Sequence, residues 1–412
     1  MNNMELTDAL MPARSRALLA KAGYAPDEVD DLHESGIGAV DFDELSEIAA
    51  IEVMGSNPPN LCSPDAAWDE YTPKRSSGKV MLVDFYSGAI FRPAELRNFA
   101  MFGRGGLSPQ FAPALPLVPL NLRWRFASIP VLLAQTHGEL KRVDAALQET
   151  YAGKNRIVFR GQPEQYFIPR ESRTLGLLYG DSSLREPNLL STAFRKHFPY
   201  VSTERHWRAI VADIDYRLTG YKDRRWWVED RMESVFLDQG MIAKWHRVST
   251  MAMGQHYGIP TYGLDVSESL DTAWWFATHR FKEEGGKACY VPHRWNSLPL
   301  QKWPVIYVFW TGTSIGISGL DLPATRPGRQ RALFAQGGWG LHGNLCADEL
   351  IAVIILAPEV GVATGDIATL FPEPKDDPLY GELLKLKARL TSAHPLYKAA
   401  GLQYVPDYTN VE

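Results

Sequence analysis

Three separated stretches of this chain hold residue types that do chemistry. The first is I-V-F-R-G-Q at 157–162, where strand-forming residues deliver Arg160 into a turn that contains Gly161. A guanidinium at a strand end presents five donors in a planar fork that fits phosphate or carboxylate; it can equally tie a loop through carbonyls or a buried acid. Gly161 lets either a ligand or a neighbouring backbone come close.

The second stretch is G-Q-H-Y-G-I-P-T-Y-G-L-D-V-S-E-S at 254–269. Its pattern predicts a helix that stops at Gly258, a reset at Pro260, a strand over 261–265, and a new helix beginning near Ser267. His256 and Tyr257 at the first helix end offer a titrating ring and a phenol to one ligand, a way of holding a ribose or a nicotinamide-like ring. A core histidine bonded to a carbonyl is the commoner fate of that residue type. Ser267 is an N-cap candidate and Asp265 lies near the same amide-rich terminus, so each has a structural explanation beside a functional one. The third stretch, F-A-Q-G-G-W-G at 334–340, sets Gln336 at a strand end. There its amide either orients a substrate hydroxyl or satisfies buried backbone.

The elements that position these groups read as α+β, without strict βαβ alternation. Residues 129–150 are expected to be helical and 156–160 a short strand. Trp207, Ile210, Val211, Ile214 and Leu218 recur at helical spacing, as do Leu270, Ala273, Trp274, Ala277 and Phe281. Strands are expected at 288–291, 305–310, 331–336 and 350–356. Residues 5–50 read as two or three short helices, with Asp27 and then Asp41 or Asp43 as N-caps and Gly36 and Gly38 as breakers. The Pro- and Asn-containing stretch 56–65 reads as a linker, and 79–86 has strand composition. The expected division is a helical region and linker over 1–75, an irregular Pro-rich segment over 76–127 packing on the main domain, and the main domain over 128–412.

The chain has 412 residues, a formal charge of −5, 45% hydrophobic residues, 22% charged residues and 12 tryptophans. This describes a folded protein with a large core and no global attraction to polyanions. A nucleic-acid contact would need a local patch, and the runs 123–126 and 222–227 mix arginine with aromatic residues in a way that serves base stacking or a helix face. Cys62, Cys289 and Cys346 are far apart, which predicts a reducing, cytoplasmic setting and no zinc clip. No apolar run is long enough to cross a bilayer, so no membrane role is expected. No Walker loop, H-E-x-x-H or G-x-S-x-G element occurs, and no metal dependence is expected.

Taken together, the three stretches resemble the FRG domain, a family named for its Phe-Arg-Gly signature, here Phe159, Arg160 and Gly161. The family pattern continues through Gln162, Pro169 and Arg173. Its Gln-His-Tyr-Gly-Pro-Thr-Leu-Asp block is matched by Gln255, His256, Tyr257, Gly258, Pro260, Thr261, Leu264 and Asp265. Ala273, Phe276 and Ala277 match the following helix, and Gln336, Gly338 and Trp339 match the late motif. Tyr262, Gly263 and Val266 depart from it.

A second similarity is to ADP-ribosyltransferases, and it implies a mixed central β-sheet flanked by helices, with a small helical N-terminal appendage. It further implies NAD as substrate. On that similarity Arg160, Gly161, Gln162, Tyr257, Thr261 and Ser267 would bind the dinucleotide. Gln336 would stand where those transferases place a glutamate, and the missing carboxylate would come from Asp265 or Glu349, with His256 completing the catalytic set. The implied protein is a toxin or antiphage effector acting on nucleic acid or protein, with a neutralising antitoxin protein as a possible partner. The alternative is a non-catalytic nucleotide- or protein-binding sensor.

Overall fold

A computed structural model describes residues 13–41, 80–84, 90–91, 117–120, 129–150, 156–179, 182–183, 185–195, 200–219, 251–261, 263–284, 287–311, 315–316, 324–335, 346–347, 350–365, 367–390 and 392–408. The N-terminal part begins with two helices, α1 (Ala13–Lys21) and α2 (Pro26–Glu34). Asp27 does not cap α2. The cap position is Ala25, Pro26 opens the helix, and the Glu28 side chain accepts the Ala25 amide at 2.9 Å, so Asp27 lies in the first turn where its charge suits the helix dipole. The next element is a strand rather than a third helix. β1 (Ile37–Asp41) pairs antiparallel with β2 (Val80–Asp84), which pairs with β3 (Ile90–Phe91). The Ile-Gly-Ala-Val run is apolar enough to be buried, and Gly36 at φ +74° supplies the turn. Asp41 thus ends a strand and Asp43 lies outside the described residues.

The main sheet has eight strands: β4 (Val118–Leu120), β5 (Val131–Ala134), β6 (Arg156–Gln162), β7 (Leu264–Ser267), β10 (Val305–Thr311), β11 (Ile315–Gly316), β12 (Ala332–Ala335) and β13 (Leu350–Leu356). Their order across the sheet is β11-β12-β7-β6-β10-β13-β5-β4. All neighbours are antiparallel except β13 and β5, so the sheet is mixed. β13 reads L-I-A-V-I-I-L and is buried at every position, as a central strand covered on both faces should be. A smaller sheet joins β8 (His279–Glu284), β9 (Lys287–Pro292) and β14 (Asp407–Tyr408) in the order β14-β9-β8.

Residues 129–150 are not one helix. Pro130 has no amide to donate, residues 131–134 join the sheet between β13 and β4, and only α3 (His137–Thr150) is helical. Thr136 and Glu139 fix its start reciprocally: the Glu139 amide donates to the Thr136 hydroxyl, and the Thr136 amide to the Glu139 carboxylate, both at 3.2 Å. Further along come α4 (Ser172–Tyr179), α5 (Tyr200–Thr219) and α6 (Leu270–Thr278). α6 ends earlier than its apolar spacing predicts, because the chain passes directly into β8 at His279. α7 (Arg326–Arg329) and α8 (Pro378–Arg389) complete the helices that bear on the site.

Three layers of core cover the sheet and its flank. One face packs on α3 and α6 through Leu140, Leu147, Phe159, Ala273 and Trp275; the other holds Val158, Leu264, Val266, Tyr307 and Phe309. A third cluster joins α5, the helical residues 251–256 and α8 through Trp207, Tyr257 and Tyr380. The N-terminal helices share their core with Leu175, Leu177 and Leu178 of α4, and Arg173 at the start of α4 pairs with Asp27 at 2.8 Å and with Asp31. Among the described residues no helix is long and apolar enough to cross a membrane.

Candidate functional site

Arg160 sits on β6 where that strand parts from β7. The two strands share one registered pair, Phe159 with Ser267, and beyond it the Arg160 Nη1 donates to the Asp265 carbonyl at 2.6 Å. Its Nε is buried and meets no hydrogen-bond acceptor among the described residues. Gly161 answers the alternative left open by its residue type: a Cβ there would lie 1.8 Å from the Ala273 carbonyl oxygen and 2.7 Å from the Ala277 amide. The close neighbour is the α6 backbone. The oxygen of the Gln162 amide is also buried without a partner among the described residues.

The 254–269 block does bring His256 and Asp265 together. Helical residues 251–256 end at Gly258, which has φ +91° and whose Cβ would meet the Tyr404 carbonyl at 2.2 Å, so only glycine fits there. That turn leaves the His256 ring buried, with Nε2 3.5 Å from Asp265 Oδ1 and Nδ1 3.3 Å from Gln330 Oε1. The Gln330 amide nitrogen is committed to the Leu370 carbonyl at 3.0 Å, so its oxygen faces the ring and His256 Nδ1 is the donor. His256 Nε2 and Asp265 Oδ1 are both buried, and neither has a hydrogen-bond partner among the described residues. The Asp265 side chain is 38% exposed while the His256 side chain is 2% exposed, so the carboxylate is the part of this pair that an outside molecule can reach.

The remaining predicted residues are engaged within the fold. Tyr257 is fully buried and its hydroxyl donates to both Asp377 carboxylate oxygens, at 3.0 and 2.8 Å. Burial, then the Asp377 charge, hold its phenol well above the usual value. Thr261 donates to the Gln255 side-chain oxygen. The strand predicted over 261–265 lies over 264–267, and Ser267 is not the N-cap of α6. That role falls to Ser269, whose side chain accepts the Thr272 amide at 3.2 Å. Ser267 instead donates to the Gln330 carbonyl at 2.7 Å and accepts the Ser269 amide at 2.9 Å. Gln336 and Glu349 lie outside the described residues, as do the runs 123–126 and 222–227; Ala335, just before Gln336, pairs with Leu264.

Several residues that frame this region were not singled out from the sequence. Arg326 is completely buried, and its guanidinium carbon lies 4.8 Å from the ring centre of Tyr257, 5.3 Å from Phe371, 4.5 Å from Tyr380 and 4.9 Å from Tyr408. Its Nη1 donates to the His256 carbonyl at 2.8 Å and its backbone amide to Asp377 at 3.1 Å. Gln330 follows on the same short segment. Tyr290, on β9, stacks on Phe371 at 4.9 Å, and burial followed by Tyr408 raises its phenol well above the usual value. An Arg-Pro-Gly-Arg turn ahead of a strand was the one sequence signal that could have marked this segment. Among the described residues no group of three or more His, Cys, Asp or Glu could hold a metal ion.

The fold and site together define an α+β domain with a mixed sheet, in which β6 carries Arg160 and β7 carries the aspartate of the His256–Asp265 pair. Residues 155–285 match the family model described as FRG domain, so the chain carries an FRG domain over the span that supplies β6, the 254–269 block, α6 and β8. No curated protein and no solved structure matches the chain.

Proposed function

We propose that the FRG domain of this protein is an NAD-dependent ADP-ribosyltransferase site centred on Asp265, modifying a nucleic acid or protein target. The observation that carries this reading is the half-exposed Asp265 carboxylate, backed by His256 at 3.5 Å and tied through its own carbonyl to Arg160. In the reaction the bond between ribose C1′ and the nicotinamide nitrogen breaks, and its electron pair neutralises the pyridinium. Asp265 stabilises the positive charge that develops on the ribose. The lone pair of the target nucleophile forms the new bond to C1′, and the proton it gives up passes to the Asp265–His256 pair. Asp265 thereby takes the part that Gln336, a neutral amide, could not play.

A role as a toxin or antiphage effector in the cytoplasm, with a neutralising antitoxin partner, follows from the family resemblance. The alternative of a non-catalytic nucleotide or protein sensor draws on the internal engagement of Tyr257, Thr261 and Ser267, which leaves fewer free groups than a full transferase site uses. One assay separates the two. Purified protein is incubated with NAD and released nicotinamide is measured, for the wild type and for Arg160→Ala, Asp265→Asn and Gln336→Ala. Release that falls about a hundredfold or more in Asp265→Asn supports the enzyme. Release unchanged in Asp265→Asn removes the assignment of that residue, and NAD binding without any release favours the sensor.

A further inference from the structure

One short segment holds His256 from behind. α7 runs through Gln330 and Arg331 into β12, and this stretch meets the 254–269 block at four points. Arg326 Nη1 donates to the His256 carbonyl at 2.8 Å, and Gln330 Oε1 lies 3.3 Å from His256 Nδ1. Further along the block, Ser267 donates to the Gln330 carbonyl at 2.7 Å and the Glu268 amide to the Arg331 carbonyl at 3.0 Å. Arg331 stands at φ +45°, a left-handed turn that ends α7 and lets the chain enter β12 at once. Gln330 is therefore fixed in main chain and side chain alike, and it is buried.

A primary amide has one donating end and one accepting end, and different partners claim the two. The Leu370 carbonyl can only accept, so the Gln330 nitrogen lies on that side, at 3.0 Å. The oxygen left for the ring can only accept in turn, so the proton of the neutral imidazole sits on Nδ1 and Nε2 keeps a lone pair. Asp265 Oδ1, 3.5 Å from Nε2, is an acceptor as well when its carboxylate is ionised. Two facing acceptors cannot bond to each other, which accounts for the absence of a hydrogen bond at either atom among the described residues. One proton arriving between them turns the contact into a charge-assisted hydrogen bond. A glutamine serving the backbone alone would need only the Leu370 carbonyl; its contact with the ring satisfies no backbone group.

We propose that Gln330 is a positioning residue for the reaction: it holds His256 in the tautomer protonated at Nδ1, so that Nε2 takes up the proton that the target nucleophile gives to Asp265. The proton leaves the nucleophile for the carboxylate and crosses from Oδ1 to Nε2. It leaves an imidazolium whose Nδ1–H still rests on the Gln330 oxygen. Gln330 acts through His256 and not on the substrate. The inference rests on the transferase reading for the reaction, and on the Gln330–His256–Asp265 geometry alone for the tautomer.

The test is nitrogen NMR of the imidazole rings in the isotope-labelled full chain, with His256→Gln identifying the His256 signals, beside the nicotinamide-release assay. In the wild type the neutral ring should show a protonated Nδ1 and a bare Nε2. Gln330→Leu should move the proton to Nε2, where the Asp265 carboxylate can accept it. Gln330→Met, which keeps the length without the amide, repeats the measurement if the leucine variant does not fold. Gln330→Glu keeps an acceptor at Nδ1 and should hold the wild-type tautomer. In the assay, Gln330→Leu should lower kcat about tenfold or more and leave KM for NAD unchanged. A neutral wild-type ring protonated at Nε2 overturns the proposal, as does a tautomer that stays put in both Gln330→Leu and Gln330→Met. Nicotinamide release at the wild-type kcat in a variant whose tautomer has changed overturns it too. The expected tautomers without release from any protein, wild type included, sink the transferase reading and leave Gln330 as the residue that sets the His256 tautomer.

Discussion

Arg326 is a fully buried cation and Arg160 and Arg280 are half-buried ones, and the fold treats them in opposite ways. Arg326 has two nitrogens without a hydrogen-bond partner among the described residues, but four aromatic rings close around it at 4.5–5.3 Å, and its Nη1 and backbone amide hold His256 and Asp377. The attraction of π faces for the charge replaces the lost hydration. Arg160 and Arg280 have no such surroundings among the described residues: one carbonyl serves the first and one neutral imidazole the second. A charge compensated from within is part of the scaffold, while a half-buried one keeps its balance partly from water.

The most severe way to break this contrast is to truncate each arginine in turn. Arg326→Ala should lose about 3–5 kcal/mol of unfolding free energy, since it empties a packed cage and forfeits four ring contacts. Arg160→Ala and Arg280→Ala should each change stability by no more than about 1 kcal/mol, because each gives up one hydrogen bond and a desolvated charge together. Urea denaturation of the three variants measures the difference. Equal losses at all three positions would erase the distinction between a scaffold cation and a half-buried one.

The next effect concerns the phenols around the cage. Tyr257 and Tyr290 are held well above the usual value and Tyr408 is pushed up to about 12, in each case chiefly by burial. In the unfolded chain these phenols ionise near pH 10, whereas in the folded chain they keep their protons. Above pH 10 the unfolded state therefore binds fewer protons than the native state, and stability falls as pH rises. Their contribution is complete below pH 10 and is lost at about 1.4 kcal/mol per pH unit for each tyrosine until its folded value is reached. Denaturation midpoints between pH 8 and 11.5, read beside the phenolate absorbance, measure it. The slope should drop by one tyrosine's share in Tyr257→Phe.

Local pattern made part of this legible in the sequence. β6, β10, β13 and α5 follow from runs such as V-I-Y-V-F-W and from the helical recurrence of Trp207, Ile210, Val211 and Ile214, because burying one face or both leaves a periodic trace. The meeting of His256 with Asp265 was readable as well, since the two are nine positions apart and separated by Gly258 and Pro260. The cage was not. Arg326 meets its rings across separations of 45 to 82 positions, and each partner is, taken alone, an ordinary aromatic in an ordinary element. The helix expected over 129–150 failed for a related reason: Val131–Ala134 is apolar enough for either element, and the partner strand that settles it, β13, lies more than 200 residues on. Short apolar runs carry no record of what they pair with.

A smaller effect separates two neighbouring serines that the sequence could not rank. Ser269→Ala removes the cap of α6 and should cost about 1 kcal/mol. Ser267→Ala removes the donor to the Gln330 carbonyl and the acceptor for the Ser269 amide, so it should cost at least as much, although Ser267 looked from the sequence like the cap itself. Thermal unfolding of both variants decides which serine the start of α6 needs more.

The smallest expected change in stability belongs to the residue on which the chemistry rests. Asp265→Asn keeps the side-chain volume, leaves the carbonyl that Arg160 uses, and alters a group that is 38% exposed and 3.5 Å from an imidazole. The facing atoms of the two side chains make no hydrogen bond with each other, so the variant gives up none and should unfold within about 0.5 kcal/mol of the wild type. Residues that the fold needs reveal themselves by what it costs to lose them, and those kept for a substrate do not, because their compensation arrives with the substrate. An Asp265→Asn protein that unfolds like the wild type yet releases no nicotinamide fits the second description. One that loses several kcal/mol would place Asp265 beside Arg326 in the scaffold and move the search for the catalytic carboxylate elsewhere.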